Sequence, residues 1–258
     1  MLGDVMGEPG LKILEKLLPG FIEKEKPDFI MANGENTAGG FGTNENAVKR
    51  MIDSGIDIIT GGNHTWEKRE VWPLLDSELR ILRPLNYPQG PGRGWIEVEK
   101  EIRGKKTRFL AVNLQGREFM NPIDCPFKAF DSIEVNPERK SIIIVDFHAE
   151  SSREKEALGF YLDGRAGIVA GTHTHVQTAD EKILPKGTAY ISDLGMTRII
   201  DTVIGIDPKI CMDRVKKQVH YRMEAAAEGN ITRIQGIIVE IDEESLRAFS
   251  IERINLQA

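Results

Sequence analysis

Four short apolar runs in this chain each stop at residues able to ligate a cation, and that repetition limits the folds open to it. Phe29-Ile30-Met31-Ala32 runs into Asn33-Gly34-Glu35-Asn36, and Ile56-Asp57-Ile58-Ile59-Thr60 runs into Gly61-Gly62-Asn63-His64. Ile142 to Phe147 ends at His148, and Ile168 to Thr172 ends at His173-Thr174-His175. Short apolar runs bounded by turn residues read as buried strands. Amphipathic stretches lie between them, which predicts an α/β fold. In open α/β sheets ligands bind at the carboxyl ends of strands, so residues from Asp4 to His175 can meet at one site.

The helices are expected at Leu11, Leu14, Leu17 and Leu18, with Pro9 in the first turn, and at Val48, Met51 and Ile52 behind a Thr43 or Asn44 cap, stopping at Gly55. Thr65 to Trp72 reads as a further helix that Pro73 disturbs. Ser151 or Ser152 caps a helix through Leu158, and Asp207-Pro208 opens another whose end carries Arg214, Lys216 and Lys217. Phe109 to Leu114 and Thr188 to Ser192 are further strands. Ile234 to Ile241 and Ala248 to Ile254 alternate as an antiparallel pair, with a third strand suggested at 219–225. Residues 83–94 form a Pro/Gly-rich loop of the length that often carries function. No linker or repeat divides residues 1–258, so one domain is expected. Only two residues precede Gly3-Asp4, so the strand leading to Asp4 is nearly absent and the natural start is expected a few residues upstream.

Charge narrows the function classes. The chain has 34 Lys and Arg against 40 Asp and Glu, a formal charge of −6, and no basic block. Long nucleic acid is therefore not an expected partner. Cys125 and Cys211 are the two cysteines and form no CxxC, which argues against a disulfide framework or a thiolate metal site and for a reduced, cytoplasmic protein. Neither a membrane span nor a secretory signal is legible, so no membrane partner is expected. A homo-oligomer is left open.

In extended chain, residues two apart point to the same side, so His173 and His175 can converge. Asp4, Glu35, Asn36, Asn63, His64, His148, His173 and His175 all lie at or near strand ends. Imidazole with carboxylate and carboxamide oxygen suits iron, manganese or zinc, the first two favoured. The set exceeds the roughly three or four ligands of one catalytic zinc, which points to two divalent or trivalent transition metal ions sharing a carboxylate. Taken singly, each residue has a plain alternative. Asp4 could be a turn residue, Asn36 and Asn63 helix caps, and His148 a core histidine; His220 reads as structural. Arg117 and Asn86 could reach a substrate or be ordinary surface and turn residues. Phe41, Trp66 and Tyr87 could stack a base, though core packing is the usual role of an aromatic.

The blocks GDVMGEPG, NGENTAGGFG, GGNHTWEK, NLQGR, DFHAE, DGRAGIVAGTHTHVQTAD and LPKGTAYISDLGMT together resemble the YmdB-like branch of the calcineurin-like metallophosphoesterases, from Gly3 to about Arg253. The resemblance implies a four-layer αββα sandwich, two mixed sheets flanked by helices, with a dinuclear site between strand ends. It implies that Asp4, His175 and Asn36 hold one metal, that Asn63, His148 and His173 hold the other, and that Glu35 bridges. His64 would serve the leaving group. Three departures stand out: Met6 where the superfamily has His, Glu35 in place of a bridging Asp, and Thr197-Arg198-Ile199-Ile200 in place of a Thr-Gly-Pro spelling. The function implied is hydrolysis of small phosphodiesters, 2′,3′-cyclic AMP-type nucleotides ahead of 3′,5′-cyclic AMP. A hydroxide held by both metals would attack, with His64 as general acid. The alternatives are a phosphomonoesterase or nuclease with the same site, or a regulatory binding protein with slow hydrolysis.

Overall fold

The structure, a computed structural model, describes residues 1–134, 140–219, 225–226 and 231–257. In chain order the elements are β1 (Asp4–Val5), α1 (Gly7–Glu25), β2 (Met31–Asn33), α2 (Glu45–Asp53), β3 (Ile58–Thr60), α3 (Trp72–Ser77), β4 (Trp95–Ile102) and β5 (Lys105–Gln115). They continue with α4 (Pro126–Asp131), β6 (Ile142–His148), α5 (Ser152–Tyr161), β7 (Ile168–Thr172), β8 (Lys182–Ile183), β9 (Ala189–Ile191), β10 (Met196–Ile199), α6 (Pro208–Lys217), β11 (Thr232–Ile241) and β12 (Ala248–Gln257).

One mixed sheet has the order β4-β5-β6-β7-β9-β8, with β5, β6, β7 and β9 parallel. A second has the order β1-β10-β11-β12. Leu2 ties the β2-β3 pair to it, bridging Ala32 on one side and Gly236 on the other. Strand alternation then sorts the apolar residues into three layers. Phe109, Ala111, Ile142, Ile144, Ile168 and Ala170 meet Met31, Ile58 and Ile237 between the sheets. Leu110, Val112, Val145, Phe147 and Val169 face the other way, against Phe130 of α4 and Leu158 of α5. Leu11, Leu14 and Leu18 of α1 and Val48 and Met51 of α2 cover Ala32, Ile59 and Ile234. Full burial of a Leu such as Leu14 contributes about 1.5–3 kcal/mol. Helix, sheet, sheet, helix is the layer order the resemblance implied.

Local expectations held where a cap or a strong period fixed them. Asn44 accepts from the Ala47 N–H and caps α2, Ser151 accepts from Glu154 and caps α5, and Asp207 accepts from Lys209 and Ile210 ahead of Pro208. The helix expected at Thr65–Trp72 is corrected. Residues 63–66 are a turn, Arg69–Val71 a single 3₁₀ turn, and α3 begins at Trp72 with Pro73 in its first turn. Proline there starts a helix, because its missing N–H has no intrahelical partner to lose. The strand suggested at 219–225, and His220 with it, lies largely outside the described residues. Cys125 and Cys211 are free thiols. No helix among the described residues is long and apolar enough to cross a membrane.

Candidate active site

Register brings the strand ends level. His148 on β6 stands opposite Gln115 on β5 and Thr172 on β7, so His148 lies beside the start of the His173-Thr174-His175 turn. Asn33 on β2 stands opposite Thr60 on β3, so Glu35 and Asn36 emerge beside Asn63 and His64. Asp4, fully buried, lies on β1 opposite Met196.

Around His148 the geometry is crowded. Its Nε2 lies 3.1 Å from Glu35 Oε1, 2.9 Å from Asn63 Oδ1 and 2.9 Å from His173 Nδ1. One proton on Nε2 can satisfy one of these contacts, whereas a cation among the four atoms satisfies all of them. Glu35, His148 and His173 offer ligand atoms within 4.8 Å of one another. A Cβ on Gly62 would overlap both Glu35 Oε2 and His148 Nε2, so only glycine leaves this cradle open. The residues present therefore fit a transition metal ion.

A buried chain behind His148 sets its tautomer. Thr172 Oγ1 donates to Asp146 Oδ1 at 2.7 Å, which leaves it to accept from His148 Nδ1 at 3.0 Å. The Nδ1 proton is thus held by Thr172, and Nε2 is the ring nitrogen turned toward the cluster. Thr60 also donates to Asp146, yet burial still pushes this carboxyl up to about 6. On the outer side, His173 Nε2 lies 3.2 Å from Glu150 Oε2, a carboxylate that orients the ring.

Asp4, Asn36 and His175 form a second group. His175 Nδ1 donates to the Ile204 carbonyl at 3.0 Å, and its Nε2 lies 3.6 Å from Asp4 Oδ1 and 3.2 Å from Asn36 Nδ2. A half-turn of the Asn36 amide presents Oδ1 at the same point, the atom a cation takes. Asp4 Oδ2 accepts from the His173 N–H at 3.3 Å and so joins the two groups. Burial by itself would raise the Asp4 carboxyl, but the charge and hydrogen bond of His175, with the charge of His148, hold it down to about 2. Burial, and after it the His148 charge, pushes His173 down to about 3, which keeps the ring neutral, with a lone pair on one nitrogen.

The turn carrying both histidines is strained and pinned. His173 and His175 have φ of 100° and 66°, left-handed values that cost a non-glycine residue about 1–3 kcal/mol each. Asp193 holds this turn, accepting from the Thr174 N–H at 3.1 Å, the Gly195 N–H at 2.9 Å and Lys155 Nζ at 2.7 Å. Lys155 and Asp193 are both buried, so the pair is fully desolvated. Gly171 lets β7 reach that close, since a Cβ there would collide with the Ser192 carbonyl oxygen.

His64 borders the first group. Its N–H donates to Glu35 Oε2 at 2.9 Å, its Nδ1 lies 3.2 Å from Glu67 Oε1, and Phe41 packs edge-on against its ring at 4.9 Å. Met6 is buried with Met196, Ile206 and Cys211, among apolar neighbours. Asn86 is structural: its amide donates to the Gln115 and Asp124 carbonyls and accepts from the Gln115 N–H. Trp66 and Tyr87 pack on each other at 4.8 Å, and Arg117 donates its backbone N–H to Glu154. Sequence reasoning passed over Glu67, Glu150, Asp146, Lys155 and Asp193 as site residues. Glu67 and Glu150 stand three and two positions beyond a candidate histidine, the spacing that could have flagged them.

Comparison with known proteins agrees over nearly the whole length. A family model described as YmdB-like protein matches residues 1–254. A 2′,3′-cyclic-nucleotide 2′-phosphodiesterase of Bacillus subtilis (strain 168) is 46% identical over 255 residues, covering 98% of this chain and 94% of its own. Among solved structures, a hypothetical protein from Thermus thermophilus superposes with a TM-score of 0.90 at 38% identity, covering 99% of this chain and 97% of the other. A Mycoplasma pneumoniae phosphatase gives 0.90 at 30% identity, covering 99% and 92%.

Proposed function

The chain belongs to the YmdB-like protein family, and on that premise we propose that it is a metal-dependent phosphodiesterase acting on small cyclic nucleotides, with residues 1–258 as one catalytic domain. The observation that carries the reading is the meeting of Glu35, Asn63 and His173 on His148 Nε2, with Asp4, Asn36 and His175 alongside. In this reading Asn63, His148 and His173 would hold one ion and Asp4, Asn36 and His175 the other, with Glu35 serving both. Iron or manganese bound there supplies Lewis acidity toward water and phosphate.

The chain's own groups supply the rest. Thr172 and Glu150 fix the two imidazoles that face each other, so no reorganisation is needed as charge develops on the phosphate. His64 is held by its N–H on Glu35 and its Nδ1 near Glu67, which keeps Nε2 for the substrate. As a hydroxide oxygen bonds to phosphorus and the bond from phosphorus to one ribose oxygen breaks, that oxygen takes the proton from His64 Nε2 and is released as an alcohol. General acid catalysis of this kind contributes typically about 10²–10⁴-fold. The name of the Bacillus relative supports 2′,3′-cyclic nucleotides as first substrates. The net charge of −6 speaks against long nucleic acid.

The test is hydrolysis of bis-p-nitrophenyl phosphate, 2′,3′-cyclic AMP and 3′,5′-cyclic AMP by metal-reconstituted protein, beside Glu35→Gln and His64→Ala, with metal content measured for each. Turnover is expected in the wild type, loss of metal and turnover in Glu35→Gln, and retained metal with slow cleavage of the unactivated diesters in His64→Ala. A wild type that binds two ions and cleaves no diester sinks the proposal.

A further inference from the structure

Two arginines meet across the pair β10 and β11, one of them, Arg198, in the segment that departs from the Thr-Gly-Pro spelling. β10 starts with Met196 opposite Asp4, and two residues on, Arg198 stands directly opposite Arg233 of β11. Residues so paired have Cβ atoms about 4.5–5.5 Å apart, where like charges repel. Both side chains are half-buried, and both Nε atoms are buried without a hydrogen-bond partner. Arg50, Arg80, Arg153, Arg165 and Arg253 each pair with a carboxylate; Arg198 and Arg233 have no such partner among the described residues. Burial and then the Arg233 charge lower the pKa of Arg198, the response of a cation without a counter-ion.

We propose that Arg198 and Arg233 form an oxyanion site, outside the metal-ligand cluster, that takes a phosphate dianion, free or as the phosphomonoester end of a nucleotide. Two forked guanidiniums present parallel N–H donors that match phosphate oxygens, and two positive charges balance a dianion where a carboxylate or chloride leaves one unmatched. Arg198 lies on the strand that runs beside Asp4, two residues past Asp4's partner Met196, and Arg233 meets it from β11, so an anion held there stays near the candidate centre.

The experiment is calorimetric titration of inorganic phosphate, and separately of adenosine 3′-monophosphate, into the metal-loaded whole chain and into Arg198→Met, Arg233→Met and the double variant. The wild type is expected to bind about one phosphate per chain more than the double variant, with each single variant weakening that extra site about tenfold. Tighter binding of the nucleotide than of phosphate assigns the phosphomonoester, and equal binding assigns the free ion. Equal stoichiometry and affinity in wild type and double variant overturns the site. Folding supplies a second readout. Removing the like-charge contact should leave the double variant's thermal midpoint in phosphate-free buffer at or above that of the wild type. A clear fall shows that the arginines have structural partners, and overturns the site as well. None of these readings needs diester turnover, so this proposal and the phosphodiesterase reading fail separately.

Discussion

His175 is a cation at neutral pH in the metal-free chain. Burial alone would lower its pKa, but the charge and hydrogen bond of Asp4 raise it to about 9. A metal ion taking Nε2 must displace that proton, so affinity should climb with pH, about tenfold per unit from neutrality to about 9, and then level off. Chelator-competition titrations across that range check the slope, and a flat profile contradicts the geometry. The stability sign runs opposite: a raised histidine stabilises fully below about 6.5, its unfolded value, and its contribution is lost as pH rises through about 9. The residues that gather around His148 and His175 were legible as candidates, since each lies at or near the end of an apolar run. Asp146 and Lys155 were not, because an acid inside a strand and a lysine on a helix gain a role only from burial, which spacing does not report.

Between elements, α5 and the end of β9 act on the histidine turn through one ion pair. Lys155→Met leaves Asp193 buried without its cation, which should cost about 3–5 kcal/mol in denaturant unfolding. Lys155→Met with Asp193→Asn removes the stranded charge while keeping an acceptor for Thr174, and should recover part of that loss. Equal losses in the single and double variants would mean that the charge is not what the pair supplies. Elements announced by a cap or an aliphatic run were readable, as Asn44, Ser151 and the Ile142–Phe147 run show. β4 was missed because Trp-Ile-Glu-Val-Glu-Lys-Glu-Ile carries charge on one face, and its hairpin with β5 exists only through the Arg103-Gly104 turn. α3 was misplaced because Pro73 reads as a stop or a start according to which side of it packs.

For the molecule as a whole, the crowding at His148 makes metal and stability one quantity. An ion that binds the folded chain alone at about a hundred times its dissociation constant adds about 2.7 kcal/mol. For a chain of this size that is a shift of roughly 5–10 °C. Chelated protein should remain folded and melt that much lower by calorimetry, with the midpoint restored by manganese or iron but not by calcium. An unchanged midpoint would show that the cluster holds no ion. The layer order was legible only through the family resemblance, because periodicity marks a strand's two faces without saying which sheet each will meet. That same alternation limits how this protein can change length over evolution. One residue inserted in β6 turns His148 out of the site and exchanges the layers that Ile144 and Val145 fill. Viable variation must come in steps of two within strands, or gather in connections such as Arg103-Gly104, at the end of the sheet that carries no ligand.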